Sequence, residues 1–145
     1  MSLLDDAFRV VNSAIALLKK SGKVVVDRLA VMKTAYLIER EYFMLTKKRF
    51  TNLIYFNYTY GPYNGLIVQA LEKLASDRKI EKDDDYEYIV AFYNPDINVP
   101  EKIGKKIVKI LKRHKYSFSL VDYVHNLKEV RETRFGEEIR FEKAA

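Results

Sequence analysis

The sequence predicts a mostly helical α+β domain with a winged-helix-like topology. Three observations predict it: apolar stripes at helical spacing, a period-2 alternation over residues 79–93 interrupted by Asp83-Asp84-Asp85, and a Gly61-Pro62 corner. The order helix, brief strand, helix, helix and hairpin is that of a winged helix, here with a small antiparallel sheet and two further helices at the C-terminal end. At 145 residues the chain fits a single domain over residues 1–145.

The first two helices are predicted from their apolar faces and from the residues at their ends. We expect the first helix over residues 4–20 and a brief strand over residues 24–26. Asp27 is placed to cap a second helix over residues 28–44. That helix is apolar over most of its circumference, so we expect it to be central, while Glu39, Arg40 and Glu41 face water.

The segment around Gly61-Pro62 predicts a strand, a corner and a helix. Residues 53–58 alternate as a strand, Gly61 permits the chain to reverse, and Pro62 fixes φ so that Tyr63 opens the third helix. Its predicted apolar stripe comprises Tyr63, Leu66, Ile67, Ala70, Leu71 and Leu74.

The C-terminal half predicts two further helices and a charged tail. Pro100 suits the first turn of a fourth helix that reaches His114. Ser117 or Ser119 is expected to cap a fifth helix. The tail from Arg131 onward either frays or folds back as a last short helix.

Composition narrows the function classes. Without cysteine the chain has no disulfide, thiol nucleophile or thiolate zinc site. No apolar run approaches the roughly 20 residues of a membrane span, and the acidic start of the chain is unlike a signal peptide. We therefore expect a cytoplasmic protein with no membrane partner. Abundant Lys and Glu with a single glutamine are typical of a thermophile.

Residues 27–80 resemble the Panacea domain, a phage-associated family that includes antitoxins. The resemblance lies in the helix over residues 29–42, in the run Phe56-Asn57-Tyr58-Thr59-Tyr60-Gly61-Pro62-Tyr63-Asn64, and in the helix over residues 66–80. A weaker similarity extends over residues 120–125. The resemblance to this family implies a helical domain with a small sheet. Such a domain binds a partner protein, for example a toxin, and it neither needs a cofactor nor catalyses a reaction.

The Gly-Pro segment supplies the candidate protein-binding residues. Tyrosine offers a large, stiff contact surface with a polar tip and is enriched at interfaces. Strand alternation places Tyr58 and Tyr60 on one face and Tyr55 on the other. Alternatively, half of the tyrosines in this segment lie in the core with their hydroxyl groups bonded to the backbone. The candidate protein-binding residues are Tyr58, Tyr60, Gly61, Pro62, Tyr63 and Asn64.

The fourth helix carries a basic stripe opposite its apolar face. This stripe can follow phosphates in a salt-dependent manner, meet an acidic partner, or simply be a solvated face, and the net charge of +6 is compatible with each. The candidate nucleic-acid-binding residues are Lys102, Lys105, Lys106, Lys109, Lys112 and Arg113.

DNA binding in the usual winged-helix pose is disfavoured. The third helix is expected to expose Asn64, Gln69, Glu72 and Lys73, which do not form a basic surface. The carboxylates of Asp83-Asp84-Asp85 at the hairpin tip would be repelled by phosphate. The tip can bind a cation or a basic protein, or be an ordinary surface turn, in which aspartate is common.

Catalysis has little support in the sequence. His114 and His125 lie eleven positions apart on different predicted helices, and no nucleophile or phosphate-loop motif occurs. We expect His125 to be partly buried and bonded to backbone, and we expect no enzyme activity, catalytic residue, metal or cofactor. The sequence favours a non-enzymatic protein-interaction module, with a winged-helix DNA-binding transcriptional regulator as the alternative. It leaves the partner and the oligomeric state, including a homodimer, open.

Overall fold

The structure, a computed structural model, describes residues 2–145. Within them it contains six α-helices, five short strands and a terminal 3₁₀ helix. The elements are α1 (Leu3–Lys20), β1 (Val25–Val26), α2 (Arg28–Thr46), β2 (Phe56–Tyr58), β3 (Gly61–Tyr63), α3 (Gly65–Ser76), β4 (Glu81–Lys82), β5 (Tyr88–Ile89), α4 (Glu101–Arg113), α5 (Ser117–His125), α6 (Lys128–Arg131) and the 3₁₀ helix (Phe141–Ala144).

Helices α1 to α3 and the three-stranded sheet of β1, β5 and β4 follow one another along the chain in the order of a winged helix. The strand β1 pairs antiparallel with β5, which pairs antiparallel with β4, and Ile89 lies opposite both Val25 and Glu81. This confirms the predicted α+β class and the hairpin. The two hairpin strands are shorter than the alternation suggested.

The helix α1 begins at a capping box. The Ser2 hydroxyl accepts from the Asp5 amide at 3.1 Å, and the Asp5 carboxylate accepts from the Ser2 amide at the same distance. The predicted helix is confirmed, with its start one residue earlier. Most of its predicted apolar face is buried, namely Val11, Ala14, Ile15 and Leu18.

The helix α2 is the centre of the fold. The Asp27 carboxylate caps it by accepting from the Ala30 amide at 2.8 Å, as predicted. Every residue from Ala30 to Glu39 is buried, because α2 packs against α1, α4 and α5. A helix apolar nearly all round requires neighbours on several sides.

The prediction that residues 39–41 face water is wrong. Glu39 is fully buried because the loop after α2 folds over it. Its carboxylate accepts from the Thr51 amide at 2.9 Å and from the Tyr55 hydroxyl at 3.1 Å, and the Arg49 guanidinium lies 3.9 Å away. Burial raises the pKa of Glu39, and the donors around it offset part of the desolvation cost.

A second buried carboxylate attaches the C-terminal segment to α2. Glu129 is fully buried and accepts from the Tyr36 hydroxyl at 2.5 Å and from Arg40 Nε at 2.8 Å. Arg40 also binds Glu41, which is itself buried. The sequence pattern placed Arg40 and Glu41 in water because it could not show that Glu129 of α6 meets Arg40 and that Lys106 of α4 meets Glu41.

The C-terminal tail folds back as a short helix, the second of the two sequence-based alternatives. The Phe141 ring is buried and stacks on Tyr36 at a centroid distance of 5.4 Å. The Arg49 guanidinium lies 4.6 Å from the centre of the same ring. The segment 128–145 therefore contributes Val130, Ile139 and Phe141 to the hydrophobic core.

The prediction that Tyr63 opens the third helix is wrong. Residues 61–63 form β3, which pairs antiparallel with β2 so that Tyr58 lies opposite Gly61. The helix α3 begins at Gly65, and Asn64 caps it by accepting from the Leu66 amide at 2.8 Å. The φ of proline also suits an extended strand, so Pro62 continues β3 and the asparagine starts the helix. The buried stripe of α3 is Ile67, Ala70, Leu71 and Leu74.

The helices α4 and α5 lie where the sequence predicted them, but neither serine caps α5. The Ser117 hydroxyl donates to the Asp27 carboxylate, and Ser119 bonds His114 Nδ1 at 2.8 Å. Tyr116 occupies the cap position without a side-chain cap bond. None of the helices in residues 2–145 has the length and apolarity that crossing a membrane requires.

Candidate binding site at the aromatic hairpin

The C-terminal tail forms a third, irregular strand beside β2. The Asn57 amide donates to the Glu137 carbonyl at 3.0 Å, and the Ile139 amide donates to the Tyr55 carbonyl at 2.8 Å. The Asn57 side chain donates to the Thr133 carbonyl at 2.8 Å. These bonds hold the β2–β3 hairpin between the tail on one side and α2 on the other.

The β2–β3 hairpin, residues 56–63, is called the aromatic hairpin below, and it presents three of its tyrosines to solvent. Tyr58, Tyr60 and Tyr63 are 41%, 48% and 40% exposed, whereas Tyr55 is fully buried. Tyr58 is exposed and Tyr55 is buried, as the alternation along the strand predicted, whereas Tyr60 lies in the turn between β2 and β3. The alternative that half of these tyrosines are core holds only for Tyr55, whose hydroxyl binds the Glu39 carboxylate and not backbone.

These tyrosines belong to two groups of neighbouring aromatic rings, one centred on Tyr58 and one formed by Tyr60 and Phe118. The Tyr58 ring lies 5.7 Å from Tyr63, 5.7 Å from Phe135 and 6.3 Å from Phe56, while Tyr60 lies 6.0 Å from Phe118. Such separations are those of interacting aromatic pairs. The term aromatic patch is used below for Phe56, Tyr58, Tyr60, Tyr63, Phe118 and Phe135, all of which are exposed.

The other predicted binding residues lie beneath this surface. Gly61 and Pro62 are buried, and Asn64 is half-buried. The Asn64 side chain is bonded at both ends, since its carbonyl caps α3 and its amide donates to the Ile54 carbonyl at 2.8 Å. These three residues shape the hairpin that carries the tyrosines.

A cavity of about 440 Å³ opens between the hairpin, α2 and α3. This volume lies in the range of small-ligand sites, roughly 300–1,000 Å³. Sequence reasoning missed the contribution of α2 and α3. The lining residues are Arg28, Leu29, Met32, Lys33, Tyr58, Thr59, Tyr60, Gly61, Tyr63 and Val68.

Lys33 is the unusual member of this lining. Its side chain is 2% exposed, and Nζ donates to the Pro62 carbonyl at 2.8 Å. Within residues 2–145 no carboxylate lies within ion-pair distance of it. Burial therefore lowers the pKa of Lys33 to about 7. Its signal in the sequence is that it is the one charged residue in the apolar run 29–38.

His125 lies behind the turn of the hairpin. A Cβ placed on Gly61 would stand 3.1 Å from His125 Cδ2, so the glycine backbone lies against the imidazole ring. His125 is partly buried as predicted, but its Nε2 is buried without a partner in residues 2–145. The expected backbone bond at this nitrogen is therefore not formed.

The basic face of α4 is exposed as the helical periodicity predicted. Two of its lysines are paired with carboxylates: Lys105 with Glu101 at 3.0 Å, and Lys106 with the buried Glu41 at 2.6 Å. Lys102, Lys109, Lys112 and Arg113 are exposed on the same face. Nucleic-acid binding by these residues stays a prediction.

The acidic hairpin tip folds as a turn. The carboxylate oxygens of Asp83, Asp85 and Glu87 lie within 4.8 Å of one another. However, the Asp83 carboxylate already accepts from the Asp85 and Glu87 amides, each at 2.9 Å. These bonds account for aspartate at the turn without a ligand.

As predicted, the exposed side of α3 does not form a basic surface. Gln69 and Lys73 are exposed, while the Glu72 carboxylate binds both Lys82 and Arg28. Arg28 is thereby turned toward an acidic group on α3. Neither α3 nor the acidic tip of the hairpin provides the positive surface that phosphates require.

Comparison of the chain with models of known protein families, with curated proteins and with solved structures found no match.

Proposed function

We propose that this chain is a non-enzymatic protein-interaction module of Panacea type, and that the aromatic patch contacts its partner protein. A toxin is the kind of partner that the resemblance implies. The proposal does not involve a cofactor, because binding through an aromatic surface requires none.

The group of four neighbouring exposed rings centred on Tyr58 is the observation that supports this proposal most. Single exposed apolar side chains are ordinary on a protein surface, whereas a contiguous exposed group marks an interaction site. Tyr58 contacts three other patch residues. Aromatic side chains are also enriched among the residues that dominate binding energy.

The position of the patch adds a second line of support. Its tyrosines stand on a hairpin that the tail and α2 hold from two sides. A surface that is ordered before binding loses less conformational entropy on association. The hairpin is therefore suited to present stiff aromatic anchors.

The experiment compares capture of a partner by tagged wild-type protein and by the Tyr58→Ala and Tyr60→Ala variants, in extract of the native host. The captured protein is then made in pure form and its affinity measured by calorimetry. Loss of a central aromatic anchor should weaken binding by about 2 kcal/mol or more.

Phe92→Ala is the matched control. Phe92 is 94% exposed and lies beside β5, outside the aromatic patch. The control variant should bind the pure partner like the wild type. Equal weakening by Phe92→Ala, or unchanged binding by both tyrosine variants, would contradict the assignment of this surface.

DNA binding through α4 is the second candidate function, supported by the basic face together with the winged-helix order of elements. Each phosphate neutralised by a lysine adds to a salt-dependent affinity. Duplex binding should then weaken steeply with added salt, and it should also be weaker at constant salt after Lys105→Glu, Lys109→Glu and Lys112→Glu together. Retention of binding in both tests would remove this candidate.

A further inference from the structure

We propose that the cavity beneath the aromatic hairpin is a binding site for a carboxylate attached to an apolar group, with the Lys33 ammonium as the cation that pairs with it. This inference rests on the cavity and goes beyond the proposed function, so its failure would leave the test of the aromatic patch intact.

Lys33 has hydrogen-bonding capacity that the protein does not use. An ammonium group has three N–H donors, and within residues 2–145 Nζ has the Pro62 carbonyl as its one partner. The side chain is almost completely removed from water. A buried charge is costly unless it is paired, and no carboxylate of residues 2–145 pairs with this one.

The geometry also places this group at the wall of an open space. Lys33 lines the cavity together with Leu29 and Met32 from the same helix, and Val68 faces them from α3. The tyrosine rings of the hairpin complete the lining. A ligand in this cavity therefore meets an apolar, partly aromatic wall with one buried cation, which is the usual composition of a small-ligand site.

The charge of the site selects among anions. Arg28, the other cation of the lining, already binds Glu72 and the Tyr88 hydroxyl. One available ammonium matches the single charge and the two acceptor oxygens of a carboxylate. The second charge of a phosphate dianion would meet no second free cation, because Arg28 is already paired with Glu72.

Binding should be coupled to the protonation of Lys33. The pKa of Lys33 in the free protein is about 7, and a bound carboxylate favours the charged ammonium and raises that pKa. Affinity should thus be constant from about pH 6 to 7 and fall about tenfold per pH unit above pH 7, where the ammonium must first take up a proton. The other titratable groups that face this site are Arg28 from α2, Tyr58, Tyr60 and Tyr63 from the hairpin, Glu72 from α3 and His125 from α5.

The experiment titrates ¹⁵N-labelled full-length protein with 3-phenylpropionate and, separately, with 3-phenylpropionamide, at pH 6.5 and pH 8.5. The acid should shift the amide signals of the hairpin and of α2, and it should bind at least about tenfold more tightly than the amide at pH 6.5. This preference should shrink at pH 8.5. Equal affinities for acid and amide, a preference independent of pH, or shifts confined to α4 would overturn the proposal.

Variants separate Lys33 from the other cations. Lys33→Met keeps an unbranched side chain and should remove the preference for the acid, while Lys109→Met, on the exposed face of α4, should leave it unchanged. Loss of the preference in both variants would contradict the role of Lys33. If Lys33→Met fails to fold, the acid and amide titrations of the wild type still decide the matter.

A blocked dipeptide, N-acetyl-Phe-Glu-amide, identifies the source of the carboxylate. Tighter binding of this peptide than of 3-phenylpropionate assigns the site to an acidic side chain of a protein. The reverse order assigns it to a free small molecule. Binding of neither compound at millimolar concentration would refute the site.

Discussion

The backbone of Gly61 lies directly against the imidazole ring of His125. The glycine adopts φ +88°, and an added Cβ would stand 3.1 Å from Cδ2 and 3.2 Å from Nε2 of the histidine. This contact seats the turn of the aromatic hairpin on α5. Both the left-handed backbone and the lack of a side chain are therefore required at this position.

Gly61→Ala should destabilise the protein more than Gly22→Ala. Gly22 has φ +102° with no atom within 4 Å of its added Cβ, so its substitution measures the backbone cost alone, about 1–2 kcal/mol. At Gly61 the clash should add about 1 kcal/mol more. Urea unfolding measures the loss of stability in both variants. Equal losses would show that the imidazole ring moves aside without cost. In a protein that already carries His125→Ala, Gly61→Ala should lower the free energy of unfolding by no more than Gly22→Ala does.

Lys33→Met should remove a pH dependence of stability. Because burial lowers the folded-state pKa of Lys33 from 10.5 to about 7, the unfolded chain binds more protons between these values. The unfolding free energy of the wild type should therefore rise with pH above 7, by on the order of 1 kcal/mol per pH unit, relative to the variant. Below pH 7 both states bind the proton and the difference should level off. Parallel pH profiles of wild type and Lys33→Met from pH 6 to 9 would contradict this account.

Glu129→Gln should destabilise strongly. The fully buried carboxylate pairs with Arg40 and accepts from the Tyr36 hydroxyl, and removal of one partner from a buried ion pair costs about 3 kcal/mol or more. Glu101→Gln removes one partner of the exposed pair with Lys105 and should leave stability nearly unchanged. Denaturant unfolding of the two variants measures this difference in stability. Similar losses in the two variants would contradict the prediction.

Phe141→Ala should cost about 3–5 kcal/mol, because the ring is buried against Tyr36, Tyr55 and Arg49. Phe135→Ala is the control, since this ring is 72% exposed in the same tail. Thermal unfolding should show a large drop for the first variant and almost none for the second. A small effect of Phe141→Ala would mean that the tail contributes little to the core.

The local elements were predictable because their signals are local. Asp27 caps α2 as the sequence indicated, and Pro100 marks the start of α4 from the N-cap position, one residue before the first turn in which it was expected. The alternation over residues 79–93 marked the hairpin, and the opposite faces of Tyr55 and Tyr58 followed from the pleat. Each of these features depends on neighbours a few positions away.

The errors arose where distant segments meet. Glu39 looked like a surface residue because nothing in α2 shows that residues 49–55 will cover it. Glu129 and Arg40 meet across almost ninety positions, which helical periodicity cannot reveal. Lys33 is a single charge in an apolar run, but the cavity beside it depends on a hairpin whose second strand the pattern predicted as a corner followed by the start of a helix.

The pairing of the tail with β2 bears on how a partner can approach. Many domains bind an extended peptide by strand addition, in which the peptide bonds a free sheet edge through its backbone. Here residues 136–139 already occupy the outer side of β2, while on β3 Pro62 has no amide hydrogen to offer and gives its carbonyl to Lys33. A partner at this hairpin must therefore be recognised through its side chains, and its specificity should follow residue identity more than backbone conformation.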